Sequence, residues 1–553
     1  MSKETVLSNP AIDCLATVVE EGARASRESV RRFIEPAHGT LRRATAKRHH
    51  LVFGRRGSGK SSLLLKAADS LESQGQPIAF VDLEPFKGHH YPDVLISVLI
   101  ATFKKFQQWL SKHPPSDIQR KWYHSIPFWP RPQAQARRGE LVSQVQECIN
   151  DLESQLFLTD DAMLVATSSD SSTEENTGRA KVSASVRGTV ANASVEEELA
   201  SRISQHRAGE VREETKRSKQ DFLHRSILAY QSVFRTFSEL TGSASFLFLD
   251  DLYHLRRSDQ PHVLDYFHRV AKNNGLWLKI GTIKNRTSWY IHGPQPIGLK
   301  IGDDADSINL DLTLEKFSSS REFLVKILSS YCSEAKAPPV RDFLADGGID
   351  RLVIASGGVT RDFLGIFRRS IDQARERVSA NPSHTRGPKI GAEDVNVASG
   401  DYGDTKKEEF QRDTLEDRTQ LEAVFDRIRL FCLSRNKANV FLVDQEAQDE
   451  EHQLIQELID LRLVHHVKSR VTVGSKPGKV YRAHLLDVSQ YTGERRRKGI
   501  EMVEFWRTDN KDVLRRPQYI FNPTVSREAI EREIEKAKKG EAPEDPRQGK
   551  LFE

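Results

Sequence analysis

Cysteine is scarce in this chain of 553 residues: the four that occur, Cys14, Cys148, Cys332 and Cys432, lie far apart and form neither a metal-ligand pair nor a disulfide framework. That spacing excludes a disulfide-stapled scaffold and predicts a reducing, cytoplasmic setting. Long apolar runs are missing too. Nothing approaches the roughly 18 residues of a membrane span, and the opening MSKETVLSNPAID lacks the apolar core of a secretory leader, so no membrane partner is expected. No internal repeat is evident. Neither sign of charge dominates: 83 Lys and Arg against 78 Asp and Glu leave a formal net charge of +5, too little over this length to point to a partner. What is abundant is charge of both signs, 29% of residues, beside 37% hydrophobic residues. Ordinary buried cores under a well-solvated surface follow, with about two to four domains at this length.

Residues 10–35 read as an amphipathic helix carrying Ile12, Leu15, Val18, Val19, Val30, Phe33 and Ile34, followed by the basic stretch LRRATAKRHH. Leu51-Val52-Phe53 is a short buried-type strand, a glycine-rich loop follows, and then comes a helix with Leu63, Leu64, Leu65, Ala67, Ala68 and Leu71. A second strand spans 78–83 between Pro77 and Pro85, and a helix is predicted over 92–111. This alternation is that of a parallel sheet covered by helices, an α/β fold. The rhythm breaks at about 112–240, which reads as a large, mostly helical insertion. It holds a helix near 138–157, a mobile-loop composition at 167–178, a small hairpin pattern at 181–195 and charged helix over 196–240. Strands resume at 246–249, 277–283 and 308–312, a helical section covers 318–380, and 381–412 has the composition of a polar linker.

The loop GRRGSGKS, Gly54 to Ser61, fits the pattern GxxxxGK[ST]. Its glycines let backbone amides turn onto phosphates, so Gly54, Arg55, Arg56, Gly57, Ser58, Gly59, Lys60, Ser61 and Ser62 are the candidate ATP-binding residues. Lys60 would face the β- and γ-phosphates, Ser61 would offer its hydroxyl to Mg²⁺, and the following helix aims its positive end at the same anion. An apolar strand that ends in acids, SFLFLDDLYHL, supplies the other half: Asp250 for the Mg²⁺ shell and Asp251 to orient the attacking water. The strand LWLKIGT ends in polar residues, which makes Thr282 and Asn285 candidates to sense the γ-phosphate. Arg286 just beyond would reach a phosphate in cis or a neighbouring subunit's nucleotide.

In order and spacing these pieces resemble the AAA+ ATPases, above all the initiator branch of origin-recognition and cell-division-control ATPases. The resemblance rests on GRRGSGKS, LFLDD, the strand end IGTIKN and SGGVTRDFL at 356–364, and it covers roughly 40–110 and 240–380. It implies a helical lid and assigns Arg361 the role of the arginine that begins a lid helix and contacts the γ-phosphate. The chain departs from that pattern in three places. The Asp250-Asp251 pair is more like the signalling STAND NTPases than an Asp-Glu pair, the insertion exceeds the minimal fold, and no arginine lies between Arg286 and Arg321.

Past residue 413 the pattern changes. HQLIQELIDLRL makes an amphipathic helix, followed by VHHVKSRVTV, a turn at 474–479 and VYRAHLLDV: helices and then a two-stranded basic ribbon, the plan of a winged helix. Arg462, Lys468, Arg470, Lys476, Lys479 and Arg482, with the run Arg495 to Lys498, face only Asp487 and Glu494. Lys468, Arg470, Lys476, Lys479 and Arg482 are therefore candidates for the phosphates of double-stranded DNA, with a protein-contact surface as the alternative. The terminal PRQGKLFE places Gln548, Leu551 and Phe552 in the QxxLF pattern of sliding-clamp peptides, or docks back on its own domain. The expected layout is a helical arm at 1–45, a P-loop core at 46–315, a lid at 316–380, a linker at 381–412, a winged helix at 413–495 and a charged extension at 496–553. Together these predict a cytoplasmic, nucleotide-gated, DNA-associated switch in antiviral defence or a mobile element, with a homo-oligomer or a separate effector as partner. The alternative is a STAND-like scaffold that assembles on ATP and a protein trigger.

Overall fold

The computed structural model describes residues 6–22, 25–26, 29–113, 136–157, 218–380, 387–413, 418–446, 450–493, 499–507 and 512–539. Its centre is a five-stranded sheet in the order β2-β3-β4-β1-β7, parallel throughout. The strands are β1 (His49–Phe53), β2 (Ile78–Asp82), β3 (Ser245–Asp250), β4 (Leu276–Thr282) and β7 (Ala305–Asn309), with a small antiparallel ribbon, β5 (Tyr290–Ile291) and β6 (Ile297–Gly298), at the side. A parallel sheet must be covered on both faces, and the side-chain alternation here does that. Val52, Phe246 and Phe248 pack with Leu63, Leu64 and Ala67 of α3 (Lys60–Glu72). Leu51, Phe53, Leu247, Leu249, Leu278 and Ile280 face the opposite layer.

That opposite layer is built from α4 (Asp93–Lys112), α5 (136–157), α6 (218–241) and α7 (Gln260–Ala271). Phe103 and Phe106 of α4 meet Tyr230, Phe234 and Phe237 of α6 at ring-centroid distances of 5.1 to 6.0 Å. The described helices of the insertion are thus part of the core layer. The 167–178 loop and the 181–195 hairpin pattern lie outside the described residues. The last strand of the sheet starts three residues earlier than its sequence pattern suggests and ends at Asn309. The Asn309 side chain accepts from the Asp311 amide, which turns the Asp311 carboxylate away from the ladder and toward the glycine-rich loop.

Two expectations are corrected in the helical part. The first helix, α1 (Pro10–Glu21), stops well short of residue 35, and α2 (Thr40–Thr45) leads into β1. Ile12, Leu15 and Val19 of α1 are buried with Leu324 and Leu328 of α8 (Phe317–Glu334), and Asp13 and Glu20 pair with Arg375 and Arg368, so this arm is built into a bundle. The bundle continues through α9 (Val340–Phe343), α10 (Asp346–Ser356) and α11 (Thr360–Ala380). The second correction is the linker: residues 392–412 of it belong to a 22-residue helix, α12 (Ala392–Asp413), with Val395, Ala398, Tyr402 and Phe410 buried. Its helical stripe also carries a buried cation, Lys406, among glycines and acids, so its composition resembled a linker while its spacing was that of a core helix.

The C-terminal unit comprises α13 (Arg418–Leu430), β8 (Val440–Asp444), α14 (Glu450–Asp460), β9 (Val464–Thr472), β10 (Val480–Leu486) and α15 (Arg527–Lys539). The basic ribbon β9–β10 is present, and β8 extends it to a three-stranded antiparallel sheet in the order β8-β10-β9. One apolar cluster runs from α1 through the bundle into this unit, joining Leu352 and Phe363 to Leu458, Val464 and Leu485. No joint separates them. Among the described residues no helix is long and apolar enough to cross a membrane, and the four cysteines are free.

Candidate functional site

The loop between β1 and α3 has the geometry its residue pattern demands. Gly57 and Gly59 adopt φ of +83° and +96°, a region where a side chain is strained, and Gly59 starts α3 so that the helix begins at Lys60. The Ser58 hydroxyl is buried with no partner, a donor left for a ligand. Lys60 is 5% exposed; its ammonium donates to the Arg55 carbonyl at 3.3 Å and lies 5.7 Å from the centre of the Tyr253 ring. Burial lowers the Lys60 pKa, while the nearby charges of Asp251, Asp250 and Asp311 oppose that shift. A buried cation at a helix N-terminus beside a buried, unpartnered hydroxyl is an arrangement that can take an anion. Ser62, on the first turn of α3, is half-buried.

Because β4 lies between β1 and β3, the loop and the acidic strand end are one strand apart, and their side chains meet over β4. The Ser61 hydroxyl lies near enough to the Asp250 carboxylate to favour its charged form, and the Asp251 amide donates to Asp250 Oδ1 at 2.9 Å. Burial first, and the Asp251 charge second, push the Asp250 pKa up to about 7, against the Ser61 hydroxyl and Lys60. Asp251 sits at φ 56°, is half-buried, and has its pKa raised by burial against the Lys60 charge. Among the described residues no group of three or more His, Cys, Asp or Glu gathers to hold a metal. The donor set at this site is therefore one hydroxyl and one carboxylate, which suits Mg²⁺ completed by phosphate oxygens and water.

Arg361 is brought to the loop. Its amide donates to the Gly57 carbonyl at 3.2 Å, and a Cβ on Gly57 would lie 2.6 Å from the Arg361 Cβ, so the start of α11 rests on the glycine. Burial lowers the Arg361 pKa, and the charges of Arg462 and Arg56 add to that; a nearby anion would relieve all three. Arg56 is half-buried, and its charge is also felt at Asp251.

Other sequence candidates are placed differently. Arg55 does not offer its donors to a phosphate: its amide and Nε bind Asp311 at 2.8 and 3.2 Å, and its Nη2 donates to the carbonyls of Leu312 and Gly357. It clamps the loop to the bundle. Thr282 is fully buried, and strand alternation turns it to the face opposite Gly281, whose missing Cβ would meet the Asp250 carboxylate. Its hydroxyl pairs with that of Thr287 inside the loop. Asn285 gives its amide to Asp460 of α14 at 3.1 Å, so it ties the β4 loop to the C-terminal unit. Arg286 is half-buried in the same loop. Arg462, counted with the basic ribbon, is buried and paired with Asp362 and Glu409. Lys468, Arg470 and Lys476 are exposed on the ribbon and its turn, Lys479 pairs with Asp444 at 2.7 Å, and half-buried Arg482 borders a cavity on another side. The run 495–498 and the tail residues Gln548, Leu551 and Phe552 lie outside the described residues.

The sequence reading missed a buried charge network beside Arg361. Asp362, Lys406, His465 and Asp487 are all at most 1% exposed. Lys406 donates to Asp487 at 2.6 Å and lies 3.4 Å from Asp362, His465 bonds Asp487 at 2.7 Å, and Arg462 reaches Asp362. Gly357 packs against the His465 ring so closely that a Cβ there would lie 2.1 Å from it. The network joins α11 and α12 to β9 and the end of β10, one residue away from the arginine that rests on the glycine-rich loop. Each member looks like a surface charge in the sequence; only Asp362, next to Arg361, carried a positional hint.

An all-parallel sheet whose first strand runs through a glycine-rich loop into α3 defines the α/β P-loop class. No protein-family profile and no curated protein matches the chain. Among solved structures it is similar to Cdc6p from Pyrobaculum aerophilum, with 11% identity, 79% of this chain and 84% of that chain covered, and a TM-score of 0.29. A likeness at that TM-score carries no argument, so the class rests on the sheet and the loop.

Proposed function

We propose that the chain is an ATP-binding, AAA+-like ATPase that acts as a nucleotide-gated, DNA-associated switch. The observation that carries this reading is the meeting of the glycine-rich loop, with buried Lys60, and the acidic end of β3, with buried Asp250, where the start of α11 is seated on Gly57. Bound Mg²⁺-ATP would supply the divalent charge and the reactive phosphate. Lys60 and the Ser58 hydroxyl would hold phosphate oxygens, Ser61 and Asp250 would face the metal, and Asp251 would orient water. The bundle α8–α12 serves as the lid. Arg361 senses the γ-phosphate, and the buried network at Asp362 passes a shift of α11 to β9 and β10. The C-terminal unit is a winged helix whose exposed Lys468, Arg470 and Lys476, with Lys479, meet the phosphates of double-stranded DNA. We place the switch in genome defence, with the region at about 112–240 as its sensor or partner-binding device.

A second reading, a STAND-like signalling scaffold, is favoured by Asp251, which is one methylene shorter than a glutamate. Steady-state ATP hydrolysis, with and without duplex DNA at low and moderate salt, separates the two. DNA stimulation that fades with salt and vanishes in Lys60→Ala supports the switch. ATP binding with turnover indifferent to DNA supports the scaffold and a protein trigger.

A further inference from the structure

A second cavity, of about 480 Å³, opens between the α/β domain and the C-terminal unit, and the nucleotide site does not use it. From the α/β side come Arg257, on the loop after β3, and Lys284 and Trp289, on the loop after β4. From the other side come Gln453 and Gln456 of α14 and Arg482 of β10. None of the described residues that line it is acidic. Lys284 and Arg482 have no carboxylate partner among the described residues, whereas Arg257 donates to Glu457 at 3.2 Å and to the Asn285 carbonyl at 3.0 Å. The Arg257–Glu457 and Asn285–Asp460 bonds cross from one wall to the other and hold them in register, so the cleft is formed before anything enters it. Trp289 is braced against Phe53 at a centroid distance of 5.1 Å, which fixes the plane of a half-buried indole.

The lining is cationic and rich in amides, with the Trp289 indole and the His452 imidazole as its aromatic rings. Cations take phosphodiesters, amide side chains both donate to and accept from base edges, and an indole offers a face to a base of any sequence. An apolar ligand would leave the cations and amides of the lining without partners, and a double helix is far too wide to enter. An unpaired strand, with one or two nucleotides inside, meets all three features.

We propose that this cleft binds single-stranded nucleic acid, with phosphates on Lys284 and Arg482 and a base against Trp289. The proposal deepens the DNA-associated reading but assigns the unpaired strand to a different surface from the basic ribbon. It also explains how such a strand would reach the nucleotide. Lys284 is two residues past Thr282, whose carbonyl accepts from the Gly54 amide at 3.2 Å, and Arg257 lies on the loop that leaves Asp250. Both walls on the α/β side are extensions of the strands that end at the phosphate site.

The test is fluorescence anisotropy of the full chain with labelled oligothymidine and, separately, a labelled duplex, with ATP affinity measured on every sample. Lys284→Glu combined with Arg482→Glu should weaken oligothymidine binding about tenfold or more and lower its salt slope. Trp289→Ala should cost roughly tenfold and Trp289→Phe should restore much of it, as loss of one stacked base predicts. Reversal of Lys468, Arg470 and Lys476 should weaken the duplex and spare the single strand. ATP affinity that stays near that of the wild type shows that the variants are folded. Lys284→Gln and Arg482→Gln replace any that are not. The proposal is overturned if folded cleft variants hold oligothymidine as tightly as the wild type, or if the wild type fails to bind it at low salt. It is also overturned if mononucleotides displace it at micromolar levels, which would make the ligand a free nucleotide. In each of those outcomes, intact ATP and duplex binding would leave the switch reading standing.

Discussion

Gly281→Ala offers the sharpest test of the site, because the nearest atoms a side chain there would meet are the site's own carboxylate and one core methyl. A Cβ built on Gly281 falls 2.4 Å from Asp250 Oδ1 and 2.8 Å from Leu64 Cδ1, where ordinary contact begins at 3.4 Å. Leu64 is flexible and can turn. Asp250 is hemmed in by burial, by Ser61 and by its own backbone bond to Asp251 at 2.9 Å, so its carboxylate must move by about an ångström and leave Ser61. A displacement of that size at a reacting centre costs on the order of 100-fold in rate. Extra volume in a packed interior costs about 1–3 kcal/mol of stability, which a chain of this size tolerates. The assay is affinity for a fluorescent ATP analogue with Mg²⁺ and with chelator, followed by hydrolysis. The variant should bind in chelator about as the wild type does, since Gly54 to Lys60 are untouched, but should lose the tightening by Mg²⁺ and nearly all turnover. A folded Gly281→Ala protein with full Mg²⁺ dependence would show that Asp250 is not the metal-side carboxylate, and the reading of β3 would fall with it.

Lys406→Met leaves Asp487 with His465 and Asp362 with Arg462 but removes the one cation they share, and should cost about 3–5 kcal/mol, read as a shift in denaturant midpoint. A loss below about 1 kcal/mol would mean that the network does not hold the bundle to the C-terminal sheet. Burial alone would raise the pKa values of Asp362 and Asp487, yet Arg462 and Lys406 beside Asp362, and Lys406 and His465 beside Asp487, bring both below the ordinary value. Their stabilisation is therefore complete above the unfolded carboxylate pKa of about 4 and lost as pH falls through the lower folded values. Acid titration followed by near-UV circular dichroism should show that loss in the wild type and a shallower one in Asp487→Asn. Arg55→Ala removes the Asp311 ion pair and the bonds to Leu312 and Gly357, charge-assisted contacts of about 1.5–3 kcal/mol each before compensation. ATP affinity and melting temperature should fall together. Weaker ATP binding at unchanged stability would instead assign Arg55 to the phosphates.

The glycine-rich loop was legible because its geometry is local. Gly54 to Ser61 are consecutive, their backbone turns determine where the amides point, and the apolar strand that ends at Asp250 announces its own burial. Four of the five strands were legible for the same reason, as short apolar runs bounded by turn residues, whereas the fifth, ADSIN at Ala305–Asn309, is no such run and was placed three residues late. What the sequence hid was every contact between distant segments. Arg55 sits in the phosphate motif, yet Asp311, more than two hundred residues later, takes its donors. Thr282 and Asn285 stand at a strand tip, but the face each presents depends on strand alternation and on where α14 docks. The stripe of α12 was masked because one of its core positions is Lys406, whose burial makes sense only with Asp487 beside it. Sequence alone determined the class of fold, the glycine-rich loop and the basic ribbon, since each depends on residues close together in the chain. Tertiary structure decided how the bundle joins the C-terminal unit, which charges are buried, and where the cleft lies. Burial and pairing are properties of neighbours in space, and the chain brings those neighbours together only when it folds.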